Sequence, residues 1–476
     1  MQRLSISLAL AAILFGNPIA PQRTSQAGDV RQFGAVGDGT ADDTAAIQKA
    51  VDSSAGNLQF PRGRYLVTKP IVIDLDRAGY TSISGNGTAQ VVMAGPGPAF
   101  RFVGTHEGSA SPATFKDNVW QNQRTPMVDA IEILGAHEEA VGIEATGTMQ
   151  LIVSRVVIRK ALHGIHLVVR NRNVLIANCH IYENRGVGIY LDGVNLHQIN
   201  VLGSHISYNL GGGIVFRHGN VRNLHVGTCD IEGNHPPVDS PPESATANIL
   251  LDCRESVAGI GEIAITGCTL QHTHDSPDSA NIRMLGASKQ DTHEGHVAIT
   301  GNVFSDVQVN IELRDVRGAA ITGNTVWKGF SHDLILDGCK DVVVSGNVFD
   351  RNPRYGFEGD DNAGVLLRNC RDCALSGVQI AEVRRHDGGL VLQGCRRVNV
   401  TGCSVVDCDG AGIVLTDCST CRVSDCIVHD ERPTTEQPVA LRLTGGRNNM
   451  VVGNLVAGRI EAAGEAGVVR DNVIAE

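Results

Sequence analysis

Val342-Val343-Val344-Ser345-Gly346-Asn347 is a short β-branched run that closes on Gly-Asn, a strand followed at once by a turn. The same phrase stands at residues 298–302 (Ala-Ile-Thr-Gly-Asn) and 320–324 (Ala-Ile-Thr-Gly-Asn). It ends in cysteine at 263–268 (Ile-Ala-Ile-Thr-Gly-Cys) and 398–403 (Val-Asn-Val-Thr-Gly-Cys), and shortens to Val-Val-Gly-Asn at 451–454. The position just after each strand falls at Val156, Cys179, Ser204, Cys229, Cys268, Asn302, Asn324, Asn347, Val378, Cys403, Cys426 and Asn454. Most intervals run from 22 to 28 residues, and three are longer, at 39, 34 and 31. Three short strands and three turns need about that much chain, and a leucine-rich consensus is absent, so the pattern predicts an all-β solenoid.

Rungs stacked roughly 4.8 Å apart bring equivalent residues into columns. Asn, Cys and Ser after each strand can then bond or pack in line inside a turn. Cys339, Cys370, Cys395 and Cys418 form a second column, eight residues earlier. Such columns account for the 13 cysteines as buried thiols better than zinc ligation by Cys370-x-x-Cys373 or Cys418-x-x-Cys421 does. Another strand, entered by glycine, recurs as Gly188-Ile189-Tyr190-Leu191, Gly213-Ile214-Val215-Phe216, Gly389-Leu390-Val391-Leu392 and Gly412-Ile413-Val414-Leu415. The long intervals place insertions at 233–246 and 351–362, with a third, at 286–295, in a different turn. Insertions on one side of a solenoid wall a groove.

The 476 residues carry a net charge of -11, which excludes nucleic acid as a partner because no basic stripe is present to displace counterions. An acidic polymer would need a local arginine patch against that global field. Arg3 precedes an apolar run over 4–15, and small residues follow at Ala20, Ser25 and Ala27. We read residues 1–27 as an export signal, placing the mature chain in the periplasm or outside the cell with no membrane insertion.

After the signal, residues 33–51 read FGAVGDGTADDTAAIQKAV and residues 60–67 read FPRGRYLV. Ile47, Ala50 and Val51 fall at i, i+3 and i+4, which predicts one amphipathic helix, with Thr40 and Asp43 in the places of a capping box. This segment resembles the start of the pectate-lyase superfamily domain of rhamnogalacturonase- and epimerase-like proteins. The resemblance implies a right-handed parallel β-helix whose open N-terminal end is covered by that helix. The expected organisation is one domain over 28–476, with an N-terminal cap over 28–80, a polar loop over 104–126 and regular rungs from about 149.

The turn before the glycine-entered strand is polar in successive rungs: His332 and Asp333, then Asp360, Asp361 and Asn362, then Arg384, Arg385, His386 and Asp387, then Asp407 and Asp409. Carboxylates one or two rungs apart span the separations used in glycoside hydrolysis. We therefore expect catalysis by Asp361, His386, Asp387 and Asp409, with Arg384, Arg385, Asp360 and Asn362 binding substrate. Gly359-Asp360-Asp361 resembles one element of the polygalacturonases, but the companion elements are missing, so that mechanism does not carry over. A rival cluster is His163, Tyr182, Glu183, Arg185, His205, Tyr208, Glu232 and His235; Asn184, Asn209 and Asn234, five after a marker, form a structural ladder. His272, His274, Asp275 and Asp278, with Asp291, His293, Glu294 and His296, read as a solvated polar loop. No metal or cofactor is implied, and calcium would enter only with lyase chemistry. The expected function is a polysaccharide-active hydrolase or lyase on an acidic or deoxy-sugar polymer. The alternative is a non-catalytic carbohydrate-binding surface protein, which an aromatic content of 4% disfavours somewhat.

Overall fold

The computed structural model describes residues 28–108, 110–287, 294–355, 361–432, 438–463 and 465–475; the expected export signal lies outside them. The chain is a right-handed parallel β-helix, and every strand pairing among the described residues is parallel. Each rung has three faces. Strands such as Ile214–Arg217, Ala280–Leu285 and Val307–Arg314 build the first face. Gly295–Thr300, Arg317–Thr322 and Lys340–Ser345 belong to the second, and Thr269–Gln271, Thr325–Trp327 and Val348–Asp350 to the third.

The repeated phrase is the second face. Val342 pairs with Ala319 in the rung before, and Val343 with Ala374 in the rung after. Val342 and Val344 point inward and are fully buried, while Val343 is exposed. On the third face Ile231, Leu270, Phe304, Val326, Phe349, Ile380 and Val405 form one buried column. Each such side chain stabilises the stack by about 1.5–3 kcal/mol relative to exposure.

The corner between the second and third faces holds the marker residues. Asn302 Nδ2 donates to Asn324 Oδ1 (3.1 Å), and Asn324 Nδ2 to Asn347 Oδ1 (2.9 Å). Each also donates to a carbonyl of the preceding rung, as Asn324 does to Ile299. Cysteine occupies the same place because its thiol reaches the equivalent carbonyl: Cys179 donates to Val153 O and Cys229 to Val201 O, both at 3.6 Å. All 13 cysteines are buried and unbridged. In the second cysteine column the thiols of Cys339, Cys370, Cys395 and Cys418 donate to the carbonyls of Leu313, Leu336, Leu367 and Leu392 at 3.2–3.5 Å.

A longer ladder fills the corner between the third and first faces. Amide to amide, it runs Asn184, Asn209, Asn234, Asn248, Asn281 and Asn310, with links of 2.7–2.8 Å. It ends where Asn310 Nδ2 donates to Asp333 Oδ1 at 2.8 Å.

At the N-terminal end the helix Thr44–Asp52 buries Ile47, Ala50 and Val51. The expected Thr40–Asp43 capping box does not form, because Asp38–Asp42 is a strand. Asp42 instead accepts from the Thr44 amide (3.0 Å), and buried Asp43 accepts from the amides of Val36 (2.6 Å) and Gly37 (3.1 Å), fixing the preceding turn. Stacking begins well before residue 149: Gly28–Asp29, Asn57–Gln59, Ser82–Ser84 and Met127–Asp129 already pair as successive rungs of the second face. The loop over 104–126 carries two short helical turns, and its Gln123 is buried, donating to Asp76 and Thr105 at 2.8 Å each.

Candidate functional site

In each first-face strand two apolar side chains point inward, and the residue between them points out. Followed rung by rung, that outward position reads Arg101, Glu144, His166, Tyr190, Val215, Leu250, Arg283, Glu312, Ile335, Leu366 and Val391. Val215, Leu250 and Ile335 join Val187, Ala247, Ala280 and Val309 in an apolar patch separate from the core. Charged and aromatic residues interrupt that patch at two places.

The first is a relay at the N-terminal end. His166 Nε2 lies 3.1 Å from Asp192 Oδ2, and its Nδ1 lies 3.7 Å from Glu144 Oε2. Glu144 also accepts from Arg101 Nε at 2.7 Å, and Tyr190 stacks on His166. Neighbouring His163 accepts from the Val187 amide. Burial, with the His166 charge beside it, pulls its pKa down to about 4.

The second is a groove of about 580 Å³. Its floor is Leu250, Arg283 and Glu312, and Glu243 and Ala245 of the insertion at 233–246 wall one side. Arg217, Asp252, Arg254, Asp278, Arg314 and Asp315 complete the lining that matters chemically. Glu312 is buried and bonded by Arg283 and Arg314 together, and the Arg283 guanidinium also reaches Asp278 Oδ2 at 3.0 Å. Asp252 takes a two-pronged contact from Arg254 at 2.9 and 2.7 Å. Burial works to raise the Asp252 pKa, but Arg254 outweighs it and holds the carboxyl below its usual range. Asp315 goes the other way: burial, then the Asp337 charge, pushes it up. Gly338 makes room for it, since a Cβ there would lie 2.3 Å from Asp315 Oδ1.

The residues expected from the sequence for catalysis lie further along this face and at its corner with the third. Asp361 is buried, paired with Arg351, and its Oδ2 has no hydrogen-bond partner. Burial pushes its pKa up. His386 packs on His332 (ring centroids 4.7 Å apart), and its Nε2 lies 2.9 Å from the Ser331 carbonyl. His386 and Asp387 line a smaller cavity of about 90 Å³ with His332 and Gln393. Asp409 accepts from the Arg385 amide (2.9 Å) and from Arg432 (2.7 Å). Among the described residues no hydrogen bond or ion pair joins Asp361, Asp387 and Asp409 to one another. Arg384 is occupied by the Asp407 carbonyl (2.5 Å) and Glu382 (2.9 Å). Asn362 Oδ1 is buried without a partner, Arg385 is exposed, and Asp360 lies outside the described residues.

The polar loop divides. Asp278 enters the groove, and His274 stacks on Phe330 with centroids 3.9 Å apart. Asp291 and His293 lie outside the described residues. Sequence reasoning missed Glu144, His166, Tyr190, Asp252, Glu312 and Asp315. For four of them the available signal is polar or aromatic letters in an outward column otherwise filled by Val, Leu and Ile.

Stacked three-faced rungs with a charged groove on one flank define the class as a right-handed parallel β-helix solenoid. The chain belongs to the right-handed β-helix region family, whose model matches residues 103–248, 244–381 and 360–456. Ahead of these, residues 28–132 match the model described as rhamnogalacturonase A/epimerase, pectate lyase-like. No curated protein matches the chain. Solved structures of similar fold include tailspike protein 3 of bacteriophage CBA120, at 15% identity over 90% of this chain, with a TM-score of 0.49. The chain spans 61% of that tailspike. PfbA, a surface adhesin of Streptococcus pneumoniae, is 14% identical with 90% of both chains covered and a TM-score of 0.41. The A-module of the Azotobacter vinelandii mannuronan C-5 epimerase AlgE4 is 13% identical, covering 94% of this chain and 100% of that one, with a TM-score of 0.37. The likeness at these identities is one of fold.

Proposed function

We propose that the protein is an exported polysaccharide-active enzyme, a glycoside hydrolase on an acidic polymer lying along the first face. The observation that carries this reading is the groove that holds Asp252 and Asp315 together, with their surroundings lowering the pKa of Asp252 and raising that of Asp315. Such opposed pairs divide the acid and base roles of hydrolysis. Asp315 is the general acid that protonates the leaving oxygen, and Asp252 is the ionised partner. Asp252 pairs through Leu285 with Arg314, the residue before Asp315, so the backbones that carry the two acids stand two rungs, about 10 Å, apart. That is closer to the inverting arrangement, at about 6.5–9.5 Å, than to the retaining one at about 5–5.5 Å. Arg217, Arg254 and Arg314 are the lining arginines offered to uronate carboxylates, in a groove whose acids include Glu243, Asp252, Asp278, Glu312 and Asp315. The match of residues 28–132 to a rhamnogalacturonase- and epimerase-like model supports a sugar-acid polymer as substrate class.

In this reading His386, Asp387 and Arg385 meet the polymer beyond the groove, and Asp361 and Asp409 hold that turn in place through Arg351 and Arg432. A non-catalytic glycan binder is the second reading, favoured by the pairing of both Asp252 and Glu312 with arginine. A depolymerisation screen over uronate-containing polysaccharides separates them, reading reducing ends and unsaturated products. We expect reducing ends without ultraviolet absorbance, and a fall of about 10²–10⁴-fold in turnover for Asp315→Asn with retention on the polymer kept. Full turnover in Asp315→Asn removes the assignment, retention without any cleavage selects the binder, and ultraviolet-absorbing products select a lyase.

A further inference from the structure

The third face carries a separate convergence of ligand-type side chains. Strands His180–Tyr182, His205–Ser207, Asp230–Glu232 and Thr269–Gln271 are successive rungs there, with Ile181, Ile206, Ile231 and Leu270 inward and their neighbours outward. His205 sits directly across from Asp230, and Glu232 follows two residues on, on the same surface. His205 Nε2 is 3.5 Å from Asp230 Oδ2 and 3.5 Å from Glu232 Oε1. Among the described residues this is the one place where three such donor atoms all lie within 4.8 Å of one another.

We propose that His205, Asp230 and Glu232 form a binding site for a divalent transition-metal ion of the zinc type. Contacts of 3.5 Å are long for hydrogen bonds. These two separations match the edge of a tetrahedron of ligands held about 2.0–2.2 Å from a central Zn²⁺, and the two carboxylates lie within 4.8 Å of each other. Two carboxylates on one small surface repel each other, and a dication between them turns that repulsion into attraction. One imidazole nitrogen with two carboxylate oxygens suits zinc-like ions, whereas calcium seeks six to eight oxygens. Glu232 is further aimed by Gln271, whose Nε2 donates to Oε2 at 3.0 Å, leaving Oε1 for the ion. His180 lies edge-on to His205, with ring centroids 5.9 Å apart, one rung earlier on the same face. The ion would clip adjacent rungs on a face away from the groove.

The test is titration of the untagged, chelator-stripped chain with Zn²⁺ by calorimetry, alongside thermal melts with Zn²⁺, Ca²⁺ or neither. We expect one Zn²⁺ per chain and a higher melting temperature with Zn²⁺ alone. His205→Ala and Asp230→Asn should each weaken binding at least tenfold, and Gln271→Ala should weaken it less. His225→Ala, on the second face, is the control and should bind as the wild type does. Equal Zn²⁺ binding in wild type and in the His205→Ala/Asp230→Asn double variant overturns the site. No binding by the wild type also overturns it, and preference for Ca²⁺ overturns the assigned class of ion.

Discussion

The amide ladder at the corner of the third and first faces and the ion pair on the groove floor are both buried and polar, yet they solve opposite problems. Each asparagine carries a donor and an acceptor, so a stack of them saturates itself and stays neutral; Asn234, Asn248 and Asn281 are each held on both sides. Arg283 and Glu312 carry ionisable side chains, buried against each other and tied further to Asp278 and Arg314. A neutral ladder extends for as long as the rungs do. A buried charge pair needs a specific partner and geometry, and this one sits where the chain also opens a cavity.

The largest expected effect breaks the charged side of this contrast. Arg283→Leu leaves Glu312 with Arg314 alone on a buried site and should cost about 3–5 kcal/mol in chemical denaturation. Arg283→Leu/Glu312→Leu should recover most of that loss. If the double variant is as unstable as the single one, the damage is in packing and not in the partner that Glu312 has lost.

The next test falls where the two designs meet, at Asp333. It occupies an asparagine's place at the end of the ladder, fully buried, and its Oδ2 lacks a hydrogen-bond partner. Burial pushes its pKa up to about 7 from 3.8. The folded value lies above the unfolded one, so the unfolded chain gives up its proton first as pH rises. Asp333 therefore weakens the fold progressively between about pH 4 and pH 7, and the loss is constant above that. Asp333→Asn removes the titration. We expect equal stability at pH 4 and a gain of about 2–4 kcal/mol at pH 8, measured as denaturant midpoints. His163, His235 and His332, each lowered to about 4 mainly by burial, act in the other sense. Their contribution is present above about pH 6.5 and is lost as pH falls towards 4, equally in both proteins.

How far the sequence could be read follows from the same contrast. Asn184, Asn209 and Asn234 were visible as a ladder because they keep a constant offset from the strand markers. Asn248, Asn281 and Asn310 continue it physically, but the insertion at 233–246 and the uneven turns after it break the offset. Asp333, read from the sequence as one of a column of acids, is the ladder's last member. Asp361 was likewise legible as a turn acid, but not its inward orientation towards Arg351, since a turn's φ and ψ are not written in its spacing. The groove was legible only as insertions that would wall it. Its lining draws on Asp252, Arg283 and Glu312, which come from three strands at unequal intervals and meet through cross-rung register.

The smallest effect concerns cysteine against asparagine at the marker corner, the feature that set the register. Asn324 donates to Asn347 Oδ1 (2.9 Å) and to Ile299 O (3.0 Å), and its amide and Oδ1 are also engaged by the ladder. Cys426 offers one weak thiol donor, 3.2 Å from Ser424 O and 4.0 Å from Val400 O, while its amide is capped by Asn454. Asn324→Ala strands a neighbour's donor or acceptor on each side and should cost about 2–3 kcal/mol. Cys426→Ala removes a small apolar group and a weak bond, and should cost about 1 kcal/mol. Paired denaturation curves give the ordering directly. Equal losses would mean that the corner is held by packing volume alone, and that the amide ladder contributes nothing beyond filling it.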